Sequence, residues 1–374
     1  MIKTKVFSMP KIHRFSSMIK KRFSGKRAQG EQFNWIFVII AGAVILAFFG
    51  VFTMKYIQLQ QLQQNIDIGR NFKQSIDILQ NSPIVGKERG VSIDDNSKAD
   101  EGAFRIGVVA EMEYYCDVAS HAQISFNGED RYPIAFEKEI LFGPSKMKIN
   151  SLDLWVLPYY FPFFVTNVVY LSDPRADYFF VYDSGKNEEI VKNMYTPSNL
   201  NVEKVSVSSK LKADSGTVGR FVFFTADEKS ATSRIKDLAK MYDEVDVKHV
   251  KINAQDEEIG TVTFFDNMAK STGKVNFYGR PLMWGAIFSS DSETYNCAAN
   301  KTIKRIPGIS DIYSTKANLL AKTEPSECSV FYSAFRTTLN GYGGKTFTKD
   351  GYKQRFSIDL QDNDLAGKGC QYVY

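Results

Sequence analysis

The sequence predicts an α/β protein: an N-terminal transmembrane helix and stalk, then a Rossmann-like extracytoplasmic domain with flanking β-strands and a disulfide-bearing helical C-terminal part. Three observations carry this expectation. Residues 35–54, WIFVIIAGAVILAFFGVFTM, hold no charge over twenty positions. At 1.5 Å rise per residue they cover about 30 Å, the hydrocarbon thickness of a bilayer. Two strand–helix–strand stretches of similar length follow one another between 177 and 252, and all four cysteines lie beyond the apolar run.

The flank before the run sets its orientation. Residues 1–34 carry nine Lys and Arg against one acid, Glu31, a net of +8, whereas the whole chain is +5, leaving −3 for 35–374. A short cationic flank beside a span places the N-terminus in the cytoplasm and the C-terminus outside, and it rests on the anionic headgroups of the bilayer. A basic arm also describes nucleic-acid binding. The adjoining span disfavours that, so no nucleic acid is expected as a partner. A cleavable secretory signal has an apolar core of about 7–15 residues ending in small side chains. Here the run is longer and closes on Phe48, Phe49, Phe52 and Met54, which points to an uncleaved signal-anchor. An organellar transit peptide is the second alternative, because 1–28 are basic, Ser-bearing and free of acids.

Lys26-Arg27-Ala28-Gln29-Gly30-Glu31-Gln32 runs directly into the apolar stretch. This region, 26–54, resembles the processing site of archaeal class III signal peptides, the leaders of type IV pilin-like proteins. The resemblance implies cleavage near Ala28–Gln29 and assembly through the apolar helix. Asn34 and Trp35 stand where that family places an acid, and Glu31 comes earlier. Apart from the resemblance, the same residues describe an ordinary signal-anchor with a basic flank. The run QFNWIFVIIAGAVILAFFG also resembles the anchors of uncharacterised archaeal membrane proteins.

Residues 55–80 continue as a polar helix on which Leu59, Leu62, Ile66, Gly69, Ile76 and Leu79 form a narrow apolar stripe. Such a stripe serves a stalk, a self-associating helix, or a helix lying on its own domain. Residues 81–102, with Pro83, glycines and many charges, read as a linker. The extracytoplasmic domain is then expected over 103–374, ample for a large core.

Its first stretches, 104–109, 114–119 and 123–126, have strand composition, with Asn127-Gly128 as turn chemistry. Residues 154–171, LWVLPYYFPFFVTNVVYL, are apolar enough to suggest a second span, but Pro158 and Pro162 argue for core strands and a tight turn; a hydrophobic lip on a membrane or partner is the remaining possibility. Next, 177–183 is a buried-strand run, 184–194 is helical and 201–207 alternates. The order repeats as strand 220–224, helix 227–242, alternating strand 244–252 and strand 260–265. This repetition predicts a mainly parallel sheet with helices on both faces. From Pro281 the spacing turns helical, through Cys328–Leu339, and the tail 346–374 has strand-like pieces that would close the first sheet.

Cys116, Cys297, Cys328 and Cys370 fit two disulfides in an oxidising compartment. None is spaced C-x-x-C, and the chain has only three histidines, His13, His121 and His249, so no metal site is expected. Four cysteines allow three pairings. The expected one joins Cys297 to Cys328 within the helical part and Cys116 to Cys370, first strands to last.

No nucleophile elbow, zinc-protease helix, phosphate loop or complete dinucleotide fingerprint occurs, and no cofactor is expected. His249 is expected to face solvent on its alternating strand. What remains is positional: ligands of open α/β sheets sit beyond the carboxyl ends of the strands. That singles out Asp183, Ser184, Thr225 and Asp227, with Lys186 nearby for an anion held on backbone amides; the simpler role of Asp183, Ser184, Thr225 and Asp227 is to cap their helices. Asn300-Lys301-Thr302 is a glycosylation acceptor pattern at Asn300, and glycine-flanked Tyr342 and Tyr352 are candidates for an exposed binding surface. The expectation is a non-enzymatic surface protein for binding, adhesion or envelope assembly, in its narrower form pilin-like, with an unknown protein or surface partner and self-association through span and stalk. The alternative is a membrane-tethered enzyme or small-ligand sensor using the strand ends near Asp183 and Asp227.

Overall fold

A computed structural model of the chain describes residues 28–81, 100–116, 122–128, 133–194, 196, 200–209, 218–341 and 349–374. The basic arm to residue 27, the linker of 82–99, His121 and Tyr342 lie outside these. The chain divides into two units, Met1–Gln61 and Leu62–Tyr374. In the first unit the described chain is helical, the leading part of α1 (Ala28–Asn81). From Trp35 to Met54 this helix exposes one large apolar side chain after another, among them Trp35, Phe37, Leu46 and Phe48.

The second unit opens with the last turns of α1 and continues into two six-stranded sheets. The first sheet contains β1 (Asp100–Cys116), β2 (Ala122–Phe126), β3 (Ile134–Phe136), β4 (Leu141–Phe142), β5 (Lys146–Phe161) and β6 (Phe163–Ser172), in the order β3-β2-β1-β5-β6-β4. All its pairings are antiparallel except β4 with β6. The apolar stretch around 154–171 is the β5–β6 hairpin, turning at Pro162 between Phe161 and Phe163. A proline there lacks no ladder hydrogen bond. Phe161 and Phe163 at the turn are buried in the core, while Phe164 is exposed. After β2, Asn127 and Gly128 both take positive φ, 55° and 69°, the backbone that favours this dipeptide in turns. Asn127 Oδ1 accepts the Glu111 N–H at 2.9 Å.

Side-chain alternation assigns the two faces of this sheet. Leu152, Leu154 and Val156 of β5 join Met112, Tyr114, Ile124 and Val169 on one face, and α1 lays Ile68, Phe72 and Ile76 across it. The later part of the stripe on α1, Gly69, Ile76 and Leu79, is therefore covered by its own domain, while Leu59 is exposed. Phe72, which the sequence stripe omits, is its centre, edge-on to Phe126 and Phe136. Gly69 lets the helix approach: a Cβ there would come within 2.1 Å of Ile134 Cδ1. The opposite face presents Trp155, Leu157, Tyr159 and Tyr170 to the main core.

The second sheet contains β7 (Ala176–Tyr182), β8 (Asn201–Ser206), β9 (Val218–Phe224), β10 (Glu244–Ile252), β11 (Ile259–Phe265) and β12 (Ser271–Tyr278), in the order β12-β11-β10-β9-β7-β8. The four strands β8, β7, β9 and β10 are parallel; β11 runs antiparallel to β10, and β12, antiparallel to β11, returns to the direction of the parallel block. Helix α2 (Lys186–Asn193) connects β7 to β8 and buries Val191 in the main core. The segment after β9 is two single-turn helices, α3 (Lys229–Thr232) and α4 (Ile235–Leu238), where one helix over 227–242 is expected. The break falls where Arg234 turns back to bond Val207 O and Ser209 O. Ala231, Ile235, Leu238 and Tyr242 still form one apolar face, against Phe179, Val181, Phe221 and Phe223.

The remaining helices are α5 (Arg280–Phe288), α6 (Ser292–Ile303), α7 (Arg305–Thr323), α8 (Ser326–Asn340), α9 (Lys349–Lys353) and α10 (Arg355–Gly367). Helix α5 is buried from Leu282 to Phe288 and touches both sheets, as a helix apolar all round must. Trp284 stands edge-on to Trp155 of the first sheet at 5.2 Å and meets Phe180 of the second at 5.5 Å. The tail corrects one expectation: its described residues form the helices α9 and α10 and add no strand to either sheet. Ile358 and Leu365, two turns apart on α10, pack into the core, a periodicity that the short strand-like pieces concealed.

The disulfides correct another. Cys116 pairs with Cys297 and Cys328 with Cys370, at Cα separations of 5.9 and 5.8 Å. The expected partners Cys297 and Cys328 sit on different helices, α6 and α8, with α7 between them in the chain. The end of β1 meets α6 instead, and the tail after α10 returns to α8.

Candidate functional site

The expected site residues gather at the carboxyl edge of the parallel strands because β7 and β9 are neighbours and end side by side. Asp183 follows β7 and reaches across: its Oδ2 accepts the Ala226 N–H at 2.8 Å, and its Oδ1 accepts from Asn187 Nδ2 at 2.8 Å. Asp227 Oδ1 accepts the Lys229 N–H at 3.0 Å, and Thr225 Oγ1 donates to Asp227 O at 3.0 Å. Ser184 is exposed, before Gly185 at φ 89°. Lys186 is drawn to the turn after β10, donating to Ala254 O at 2.9 Å and pairing with Glu257 at 3.1 Å. The backbone amide that would receive an anion here already holds the Asp183 carboxylate. Asp183 thus ties two strand ends together, while Asp227 closes a local turn just before α3.

Beneath the same loop lies a residue that the sequence places in solvent. His249, on β10, is 1% exposed. The loop that carries Thr225 and Glu228 lies over the ring on its face of the sheet, so this position is inside although Lys251, two residues on, is exposed. The ring approaches the Thr225 carbonyl with Nε2 at 2.7 Å and the Glu228 carboxylate with Nδ1 at 3.9 Å. Burial pushes its pKa below the ordinary imidazole value, against the pull of the Thr225 carbonyl and Glu228.

The opposite face of β9 and β10 holds a buried charge cluster. Asp246 pairs with Arg220 at 3.1 Å and with Lys248, while Arg220 also meets Glu244 at 2.7 Å. Lys248 is 1% exposed; burial pushes its pKa down and the Asp246 carboxylate beside it pushes back. Adjacent Lys248 and His249 point to opposite faces, so burial of both marks a central strand. Nothing in their composition announces that; the strand order does.

A second acid–base group binds α10 to the turn between β10 and β11. Arg355 pairs with Asp256 at 3.2 Å and Glu258 at 2.9 Å, and Tyr352 OH donates to Glu258 at 2.9 Å. Tyr352 is 1% exposed, which removes it from the expected binding surface. Elsewhere, a polar groove of about 280 Å³ lies between α7 and α8, lined by Asp311, Ser314, Thr315, Asn318, Arg336 and Asn340. It lacks the apolar walls of a typical small-molecule pocket. Among the described residues no group of three His, Cys, Asp or Glu is placed to hold a metal ion.

Asn300 is exposed on α6, but Thr302 of the same acceptor pattern is buried and donates to Ala298 O at 3.0 Å. Ala28 and Gln29, the expected processing residues, begin α1. No protein-family model matches the chain, and no curated protein and no solved structure is significantly similar to it.

Proposed function

We propose that this is a single-pass membrane-anchored protein, N-terminus in the cytoplasm, that presents its folded unit outside as a binding, adhesion or envelope-assembly module. The observation that carries the reading is the helix Trp35–Gln80, whose most apolar window has a mean hydropathy of 2.8 and is wholly unburied. So many exposed apolar side chains in sequence are stable only in lipid or against a partner. Two disulfides in the folded unit favour an oxidising compartment for that unit, and the cationic flank gives the same orientation. The narrower, pilin-like form has the leader removed near Ala28–Gln29, with association of copies through the apolar helix.

Two measurements test this. A reporter fused after Tyr374 is expected outside the cytoplasm, with the protein retained in the membrane pellet at high salt; a cytosolic reporter or release by salt overturns the reading. N-terminal sequencing of membrane-extracted protein is expected to start near Gln29 in the pilin-like form and at Met1 in the uncleaved anchor.

The parallel order β8-β7-β9-β10, with α2 and the α3–α4 segment on opposite faces, favours a Rossmann-like reading of the second sheet. Its topological switch point falls between β7 and β9, at Asp183 and Asp227. That position supports the second reading, a ligand sensor or tethered enzyme. A thermal-shift screen in which Asp183→Ala with Asp227→Ala leaves every ligand effect intact would remove it.

A further inference from the structure

The geometry around His249 is asymmetric. Its Nε2 lies 2.7 Å from the Thr225 carbonyl, and a carbonyl only accepts, so Nε2 carries the proton of the neutral ring. Nδ1 is then a bare acceptor, buried and without a hydrogen bond. What it faces, at 3.9 Å, is Glu228 Oε1, another acceptor. Glu228 is already engaged from the neighbouring strands, by Thr263 Oγ1 of β11 at 3.0 Å and by Lys274 Nζ of β12 at 3.4 Å. It also immediately precedes α3, so its position sets where the segment after β9 begins.

We propose that His249 is a proton-operated latch on the 225–228 loop, its Nδ1 closing onto the Glu228 carboxylate when the ring takes up a proton. Protonation converts the facing pair from two acceptors into a donor and an acceptor. Bringing them from 3.9 Å to an imidazolium–carboxylate contact of about 2.8 Å requires Glu228 to move about 1 Å toward β10, away from Thr263 and Lys274. The loop carrying Thr225 and Asp227 and the start of α3 move with it. The latch therefore acts on the strand ends at the sheet's carboxyl edge, whatever they bind.

The charges around the ring set the range. Burial and the cations Lys274 and Lys251 hold the imidazole neutral, while the Thr225 carbonyl and Glu228 favour the proton. The balance is a folded-state pKa below the unfolded value of about 6.5. The unfolded chain then binds the proton more readily, so this residue's stabilising contribution is lost as pH falls from above 6.5 through the lower folded value. Proton uptake thus destabilises the open arrangement, and closure onto Glu228 offsets part of that cost.

The test uses the full chain in lipid nanodiscs. Ring ¹⁵N shifts of His249 are followed from pH 8 to 4, assigned by their loss in His249→Gln or, where that variant does not fold, by elimination with His13→Gln and His121→Gln. Hydrogen–deuterium exchange of 225–232 is compared at matched intrinsic rates. The expected result is the Nε2–H form at neutral pH, a midpoint below 6.5, and a change in exchange across it. Glu228→Gln is expected to lower the midpoint by about one unit and to abolish the exchange change. An Nδ1–H tautomer, a midpoint at or above 6.5, or a titration that Glu228→Gln leaves unmoved overturns the proposal.

Discussion

Asp246 lies between two cations that have nowhere else to go: Arg220 is 8% and Lys248 2% exposed in their side chains. Removing the carboxylate leaves Lys248 buried without its counter-ion and Arg220 with only the Glu244 pair, so Asp246→Ala is expected to destabilise the fold by about 3–5 kcal/mol, read by denaturant unfolding. Lys186→Ala removes a solvent-exposed pair with Glu257 and is expected to change stability by less than about 1 kcal/mol. Equal effects would mean that burial is not what distinguishes them. Lys301 is pushed down to about 8 by burial and by the Arg305 cation beside it, against the opposing pull of Glu139 and Glu137. Its unfolded pKa is about 10.4, so the unfolded chain holds the proton longer. Its contribution to stability rises as pH increases from about 8 to that value. A Lys301→Gln variant is expected to lose that rise. At this scale the sequence was least informative. Alternation showed that Lys248 and His249 face opposite ways, but whether each opposite way is water or core depends on what packs over each face of β10.

Among elements, α1 and α5 are positioned by one physical rule, that an apolar face must be covered. Phe72 on α1 is fully buried among Phe126 and Phe136, and Phe72→Ala is expected to cost about 3–5 kcal/mol and to make the last turns of α1 protease-sensitive. Proteolysis unchanged from wild type would show that the helix docks by other contacts. The two disulfides differ in access: Cys328 and Cys370 are each 6% exposed, while Cys116 and Cys297 are half-buried. Limiting reductant is therefore expected to open Cys116–Cys297 first, as differential alkylation and mass spectrometry would record. The strand–helix–strand periods of 177–252 were legible because each element carries its own hydrophobic repeat. The tail was not, since residues around 354–360 alternate over a few positions and settle as a helix only against α8.

For the whole molecule, the boundary of the folded unit has a direct consequence. Leu62 and the turns after it belong to that unit, and Ile68, Phe72 and Ile76 complete the core of the first sheet. A fragment beginning at Leu62 is expected to unfold cooperatively with both disulfides intact. One beginning at Ala103 lacks the helix and is expected to melt lower and bind hydrophobic dye; identical melting would show the helix to be dispensable.

Sequence alone determined the properties carried by uninterrupted local patterns: a helix long and apolar enough to cross a bilayer, a cationic flank, an α/β chain with strands near their observed positions, and cysteines in number for two bridges. Tertiary structure alone decided which cysteines meet, that β11 runs against both of its neighbours, that α5 is the shared core of two sheets, and that His249 and Tyr352 are inside. The reason is the range of the interactions. Hydrophobic periodicity acts within one element, whereas partners, burial and the fate of a charge depend on elements brought together from distant parts of the chain.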